Sequence, residues 1–276
     1  MGETNNSYLP GLKACKAEVD GQILTITINR PEVLNALNPE AHHELSRVFD
    51  AFSEDSNLRV AIITGTGTRA FCVGSDLKSK LHIDNPLTQS VTEKPPTGFA
   101  GLCARFDLYK PVIAAVNGAA IGGGMEIVMA CDLAVAAEHA VFSLPEPRVG
   151  LASLGGGGGL ARIVRQIPMK QAMRLILTCE QITAREALEM GLINEVVPAG
   201  EELSKARELA EKILLSAPLA IEASKAVALA SLSNTLERSI LDQHPAAMKM
   251  LLSEDAKEGP RAFVEKRPPR WTGKLT

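Results

Sequence analysis

The chain has 276 residues, of which 46% are hydrophobic and 22% are charged, and its formal net charge is −3. This is enough apolar material for one large core, or for a large domain with an appendage. The nearly balanced charge and the scattered Lys and Arg residues argue against a nucleic-acid surface. No apolar stretch reaches the length that crosses a membrane.

The five cysteines are irregularly spaced and form no Cys-x-x-Cys pair, which is typical of a reducing compartment. Cys131 and Cys179 lie in apolar runs, and we expect them in the core. No metal-ligand spacing appears, because adjacent His42 and His43 project about 100° apart on a helix and indicate a surface pair. The polar first residues do not resemble a secretory signal. We therefore expect a cytoplasmic protein without a metal site.

Apolar alternation and turn residues predict the elements in chain order. An Asp-Gly turn joins the first two strands into a hairpin, and Asn38 and Pro39 begin the first helix as its N-cap and first residue. The predicted strands are residues 16–19, 23–29, 60–64, 111–116, 133–136, 140–143 and 193–197. Further helices are predicted at residues 98–108, 124–130, 159–165, 169–177 and 183–190.

Strands and helices alternate up to about residue 200, and only helices are predicted beyond it. This pattern predicts an α/β fold followed by a helical segment. We place the boundary after residue 198, so that residues 1–198 form the core and residues 199–276 form a C-terminal helical segment.

A glycine-rich turn, Gly122-Gly123-Gly124, leads from a buried strand into a helix. Such a helix start has unpaired N–H groups and attracts negative charge, although a tight strand-to-helix connection explains the glycines equally well. Gly74-Ser75-Asp76 is a second turn of this kind, and by itself it indicates only a helix cap. If both turns converge, they supply two N–H donors for one oxyanion.

Two glutamates lie in apolar sequence 20 positions apart. Glu126 follows the first glycine turn, and Glu146 is held between two prolines. For Glu126 the alternative is a favourable position at the helix N-terminus, and for Glu146 it is an ion pair with Arg148. A pair of carboxyl groups can activate water and transfer a proton. Together with the glycine turns, the glutamates indicate acid–base chemistry beside a carbonyl group.

The glycine run at residues 155–159 invites comparison with a phosphate-binding loop. It lacks the Gly-Lys-Ser/Thr ending of a P-loop, and Glu180, near the spacing expected of a dinucleotide fold, does not follow a strand. No Gly-x-Ser-x-Gly elbow occurs. These observations disfavour nucleotide binding and serine hydrolase chemistry.

Several motifs follow one another along the chain in a characteristic order and spacing. They are Asn29-Arg30-Pro31 with Asn35-Ala36-Leu37, Phe71-Cys72-Val73-Gly74-Ser75-Asp76-Leu77, Asn117-Gly118, Gly122-Gly123-Gly124-Met125-Glu126, Leu144-Pro145-Glu146, Thr183-Ala184-Arg185-Glu186-Ala187 and Glu254-Asp255-Ala256-Lys257-Glu258-Gly259. In this order and spacing they resemble the crotonase (enoyl-CoA hydratase/isomerase) superfamily over nearly the whole chain. A weaker similarity, in residues 98–102 and 110–116, is to the carnitinyl-CoA dehydratase branch.

The resemblance implies a crotonase-like ββα spiral that assembles into trimers or pairs of trimers. It implies an acyl-CoA thioester substrate, with coenzyme A as part of the substrate and no separate cofactor. The backbone N–H groups of Ser75 and Gly123 are then the oxyanion hole. Glu126 activates water for attack at C3, and Glu146 exchanges the proton at C2. Asp76, Leu77, Lys78 and Lys266 are the implied contacts of the CoA moiety.

The expected reaction is reversible syn hydration of a 2-enoyl-CoA, as in fatty acid metabolism. Isomerase and carnitinyl-CoA dehydratase reactions on the same scaffold remain alternatives, as does a non-catalytic CoA- or RNA-binding relative. The chain departs from the family pattern at Ser75, where alanine is usual, and in residues 153–159, where glycines replace a common proline. The acyl group is therefore left open.

Overall fold

The computed structural model describes residues 8–76, 94–152 and 156–276. Within these ranges, ten strands form two sheets. In chain order the strands are β1 Cys15–Asp20, β2 Ile23–Ile28, β3 Val60–Gly65, β4 Ala70–Cys72, β5 Val112–Val116, β6 Ala119–Ile121, β7 Leu133–Ala137, β8 Val141–Ser143, β9 Ile182–Thr183 and β10 Glu195–Val197.

The two sheets rise together as a spiral. The larger has the order β1-β2-β3-β5-β7-β10 and the smaller β4-β6-β8-β9. Each consecutive pair, β3 with β4, β5 with β6 and β7 with β8, contributes one strand to each sheet. Among the described pairings within the two sheets, only the β1–β2 hairpin and the β8–β9 pair are antiparallel. Parallel neighbouring strands require the chain to cross back to the same end of the sheet before each new strand begins. Repeating this crossover produces the predicted ββα spiral.

Helices connect the turns of the spiral and make up the C-terminal part. Asn38 caps α1 through its side chain, which accepts from Ala41 N at 3.0 Å, and Pro39 is the first helical residue, as predicted. The described helices are α1 Pro39–Glu54, α2 Gly123–Ala130, α3 Gly159–Gln166, α4 Met169–Thr178, α5 Ala184–Glu189, α6 Glu202–Leu214, α7 Pro218–Ser231, α8 Leu236–Leu241, α9 Pro245–Leu251 and α10 Asp255–Val264.

The helix predicted over residues 98–108 is wrong. Only a short 3₁₀ turn forms there, at Phe99–Gly101. Gly98, Ala100 and Gly101 have φ values of 79°, 55° and 62°, and left-handed backbone of this kind interrupts a helix. The segment instead packs as a compact turn against α1.

Two apolar clusters cover the two faces of the larger sheet. The main one fills the space between the sheets and α1 to α5. In the second, Ala206 and Ala210 of α6 pack against Ile62 and Ile113. The first helix after residue 198 therefore covers the outer face of the sheet, while the division of the chain at that residue stays a prediction.

In the described ranges, no single helix is long and apolar enough to cross a membrane. The pair α6 and α7 reaches that length and composition when taken together, across a bend of 103°.

Candidate active site

The glycine turn between β6 and α2 places Glu126 in the first turn of a buried helix. Gly122 has a φ of 56°, and its N–H donates to Ser143 O in the neighbouring strand at 2.8 Å. A Cβ on Gly124 would overlap the carbonyl oxygen of Cys72, so glycine is needed for α2 to pack this closely on β4. The turn therefore brings the helix start up to the end of the smaller sheet.

The second glycine turn meets the first. Gly74 has a φ of 91°, and a Cβ placed on it would lie 3.2 Å from both Gly123 N and Ile121 O. Neither the Ser75 N–H nor the Gly123 N–H has an acceptor among the described residues. The convergence that the sequence left open is thus present, with two N–H donors in adjoining turns. Their role as an oxyanion hole stays a prediction.

Glu126 is 6% exposed and faces the start of α3. Its Oε1 accepts a hydrogen bond from Gly159 N at 2.9 Å, and a helix N-terminus stabilises negative charge. A Cβ on Gly157 would overlap the carboxyl group. The glycine run at residues 155–159, which the sequence analysis left without a function, therefore leaves room for the Glu126 carboxylate in its described part.

Glu146 begins a 3₁₀ turn, Glu146–Val149, directly after Pro145. Its Oε1 lies 3.0 Å from the position of a Cβ on Gly122, and its Oε2 is buried with no hydrogen-bond partner in the described ranges. Burial raises the pKa of Glu146 above its ordinary value. A hydrogen bond from the backbone N–H of Glu146 lowers this pKa in part, and the negative charge of Glu126 raises it.

The ion pair between Glu146 and Arg148 that the sequence allowed is not among the described contacts. The Arg148 guanidinium instead donates to Thr178 O at 3.1 Å. The two glutamates therefore face one site from different elements, α2 and the turn after β8. The Glu126 carboxylate accepts from one helix N–H, and Glu146 Oε2 has no hydrogen-bond partner among the described residues.

The four residues that the resemblance implies as CoA contacts have different surroundings. Asp76 forms an ion pair with Arg30, with Nη2 and Oδ2 3.0 Å apart. Leu77 and Lys78 lie outside the described residues. Lys266 is exposed after the end of α10, with a left-handed φ of 52°, and no described contact joins it to the glutamates or glycine turns. Their roles in binding CoA stay predictions.

Sequence reasoning missed two aromatic rings beneath the site. The Phe99 ring lies so close to Gly123 that a Cβ there would overlap it. His42 packs edge-on to Phe99 at 4.5 Å, and its Nδ1 accepts from Ala100 N at 3.0 Å. His42 is buried, so its assignment to a surface pair is wrong, whereas His43 is exposed. The helical spacing of His42 with Leu45 and Phe49 is the signal that places it on the buried face.

The remaining sequence expectations concern cysteines and metals. Cys131 and Cys179 are buried, as predicted, and the other three cysteines are buried as well. Among the described residues, no group of three or more His, Cys, Asp or Glu side chains has the arrangement of a metal site. The site thus presents two carboxyl groups and two backbone donors, which can move protons beside a negatively charged oxygen.

The chain is similar to known proteins over nearly its whole length. The family model described as Enoyl-CoA hydratase/isomerase matches residues 18–274. A carnitinyl-CoA dehydratase of Proteus mirabilis is 41% identical over 258 residues, which cover 92% of this chain and 96% of that protein. This supports the predicted similarity to the carnitinyl-CoA dehydratase branch.

Solved structures give the same result for the fold. A probable enoyl-CoA hydratase/isomerase from Mycobacterium abscessus has a TM-score of 0.85 and 40% identity, covering 96% of this chain and 100% of that one. An enoyl-CoA hydratase from Mycobacterium tuberculosis has a TM-score of 0.86 and 40% identity, covering 95% and 99%. The predicted spiral with a C-terminal helical segment is confirmed.

Proposed function

Because the chain belongs to the enoyl-CoA hydratase/isomerase family, the crotonase superfamily, we propose that it is a hydro-lyase acting on an acyl-CoA thioester. The reaction is the reversible syn addition of water to a 2-enoyl-CoA. The observation that carries this proposal is that both glutamates lie at the paired glycine turns, with Glu126 in the helix that begins there and Glu146 beside Gly122. Coenzyme A is part of the substrate, and no further cofactor takes part.

The thioester oxygen binds between the N–H groups of Ser75 and Gly123. Attack at C3 moves negative charge onto this oxygen as an enolate forms. Donors already in place stabilise that charge without reorganising, and removing one donor from such a site typically costs about 10²–10³ in rate. The absence of described acceptors for both N–H groups supports this use.

The two glutamates divide the proton transfers. Glu126, with its Oε1 bonded to Gly159 N, acts as the base that takes a proton from water as the water oxygen bonds to C3. The raised pKa of Glu146 favours its protonated form, from which it donates to C2. Return of a proton from Glu126 to Glu146, directly or through solvent, resets the pair. Dehydration follows the same steps in reverse.

A second candidate has the same chemistry on a different acyl group. The 41% identity with a carnitinyl-CoA dehydratase favours elimination of water from a 3-hydroxyacyl-CoA with a trimethylammonium group at C4. An isomerase needs only one carboxyl group, so the intact pair favours hydration over isomerisation.

The deciding experiment is a hydration assay over a panel of 2-enoyl-CoA substrates. Hydration is measured as the loss of the absorbance of the conjugated enoyl thioester. The panel contains short, long and branched acyl chains and the dehydration product of carnitinyl-CoA. We expect one class to be hydrated rapidly. Glu126→Gln and Glu146→Gln should each lower turnover by about 10²–10⁴ while the fold is kept. Near-wild-type hydration by either variant would contradict the assignment.

A non-catalytic CoA- or RNA-binding relative is the contrasting possibility. The net charge of −3 and the intact glutamate pair disfavour it. Filter binding with RNA, run beside the hydration assay, separates the two, since tight RNA binding without hydration of any thioester supports the relative and not the enzyme.

The C-terminal helices support an assembly into trimers or pairs of trimers. Exposed apolar side chains are concentrated there, and large apolar patches mark protein contacts. Multi-angle light scattering should give the mass of three or six chains. We place the protein in the cytoplasm and in fatty acid metabolism. The exposed apolar side chains of this C-terminal part include Leu229, Leu232, Leu236, Ile240, Leu241, Leu251, Leu252, Phe263 and Val264.

A further inference from the structure

An ion pair with little exposure lies directly beside one of the two backbone donors. Arg30 follows strand β2, and Asp76 follows Ser75. The Arg30 Nη2 and Asp76 Oδ2 atoms are 3.0 Å apart, and the two side chains are only 16% and 12% exposed. A pair with so little solvent is costly to desolvate and needs close bonding to remain in place. Its position therefore constrains the backbone around Ser75.

The Ser75 backbone is held on both sides by Leu37. Leu37 N donates to Gly74 O at 2.8 Å, and Asp76 N donates to Leu37 O at 2.9 Å. In this parallel bridge the peptides on either side of Ser75 bond to Leu37, so the Ser75 N–H is directed away from it. The orientation of that N–H thus depends on how segment 74–76 is held against segment 35–37.

Arg30 connects these two segments. Besides Asp76, its guanidinium donates to Ala36 O. Its own backbone is fixed by Asn35, whose Oδ1 accepts from Arg30 N at 3.1 Å and whose N donates to Arg30 O at 2.8 Å. Asn35 is buried in turn, with its amide donating to Ala70 O at 2.8 Å. The guanidinium is therefore a rigid connection rather than a flexible surface charge.

We propose that Arg30 and Asp76 are positioning residues that hold the Ser75 N–H at the orientation required for the developing oxyanion. This inference rests on the proposed function. It assigns Asp76 an effect on the reacting centre, transmitted through the Ser75 peptide, which differs from the direct CoA contact that the sequence resemblance implied. Gly74 also lies near the second donor, because a Cβ placed on it would be 3.2 Å from Gly123 N.

The two roles of Asp76 predict different kinetics. A direct CoA contact acts in the ground state as well as in the transition state, so its loss raises KM and leaves kcat unchanged. A misplaced donor acts on the transition state, and an error of about 1 Å costs up to about 10² in rate. Arg30 lies behind the backbone of the site, so any effect of its substitution on kcat supports positioning.

The test compares Arg30→Gln, Asp76→Asn and the double variant, each of which removes charge at similar size. We expect kcat for 2-enoyl-CoA hydration to fall by about 10–100-fold in each single variant, with KM within about twofold of wild type. The double variant should lose no more than the worse single variant, because both substitutions break one interaction. Arg30→Lys, which keeps the charge, should recover part of kcat.

The ion pair of Lys225 and Asp132 is a matched control. Its Nζ–Oδ2 distance is 2.7 Å, its side chains are 16% and 26% exposed, and Asp132 also accepts from Val112 N at 2.8 Å. Lys225→Gln and Asp132→Asn should lower the midpoint of urea unfolding and leave kcat unchanged. If the Arg30 variants change kcat no more than these, or if Asp76→Asn raises KM alone, the inference is wrong.

Hydrogen exchange separates this inference from the proposed function. Arg30→Gln should speed amide exchange at least about tenfold in peptides covering residues 35–37 and 74–76, while Lys225→Gln leaves those peptides unchanged. A wild-type protein that hydrates no thioester contradicts the proposed function, and the exchange result then decides whether Arg30 positions the segment. Unchanged exchange in Arg30→Gln overturns the inference even if hydration is found.

Discussion

Replacing Gly157 by alanine perturbs Glu126 and little else. Gly157 is not among the residues with positive φ, so alanine meets no left-handed backbone strain there. The added Cβ overlaps the carboxyl group of Glu126. Because this group is the end of a flexible side chain, it is displaced by about 1 Å and the backbone stays in place.

Gly157→Ala should raise the activation free energy of hydration more than it lowers the free energy of unfolding. Displacement weakens, without abolishing, the hydrogen bond from Gly159 N to Glu126 Oε1, and a bond to a charged group contributes about 1.5–3 kcal/mol to stability. A base misplaced by about 1 Å loses about 10² in rate, which corresponds to about 2.7 kcal/mol in the activation free energy. We therefore expect kcat for hydration to fall about 100-fold while the free energy of unfolding falls by about 1 kcal/mol.

Steady-state kinetics and urea unfolding of Gly157→Ala provide the assay. Gly191→Ala is the control, because Gly191 has a φ of 80° and a Cβ there meets nothing within 4 Å. It should lose about 1–2 kcal/mol of stability through backbone strain and keep kcat. A Gly157→Ala enzyme with kcat within twofold of wild type would refute the view that the position of the Glu126 carboxylate controls the rate.

Three further outcomes follow from single contacts. Glu146→Gln should unfold at higher urea than wild type at pH 7, because the raised pKa means that ionising this carboxyl costs more in the folded state. Below the carboxyl's ordinary pKa both states are protonated and the difference should vanish, whereas a difference that persists there would contradict this. Ser75→Ala should keep hydration activity, since only the backbone N–H is required, and a large loss of kcat would instead implicate the hydroxyl. Asn38→Ala should lower the free energy of unfolding by about 1 kcal/mol through loss of the bond from Ala41 N, as measured by urea titration, and an unchanged midpoint would disprove the cap.

The longer elements of the fold could be predicted because their patterns repeat over several residues. Strand β2 alternates, an Asp-Gly turn joins it to β1, and α1 begins at the predicted cap. The short strands β4, β6 and β9 were not predicted. Each has two or three residues, too few for a period to appear, and each is a strand because it pairs in the smaller sheet.

Only part of the candidate site could be predicted from the sequence. The glutamates and glycine turns are recognisable because their residue types and spacing carry the chemistry. His42 was misplaced because its neighbour His43 suggested a pair, whereas the helical face decides burial. The glycine run was left unassigned because its purpose is to leave space for Glu126, a residue more than 30 positions away.

The sequence by itself determined the longer elements, the residue types of the candidate site and the order of motifs that indicates the family. These depend on local backbone preferences and on spacing along the chain. Only the tertiary structure decided that Gly74 approaches Gly123 N, that Glu126 faces the start of α3, and that Arg30 bonds to Asp76. The raised pKa of Glu146 also depends on the tertiary structure. Contacts of this kind join residues distant in sequence, and burial and charge act through space rather than along the chain.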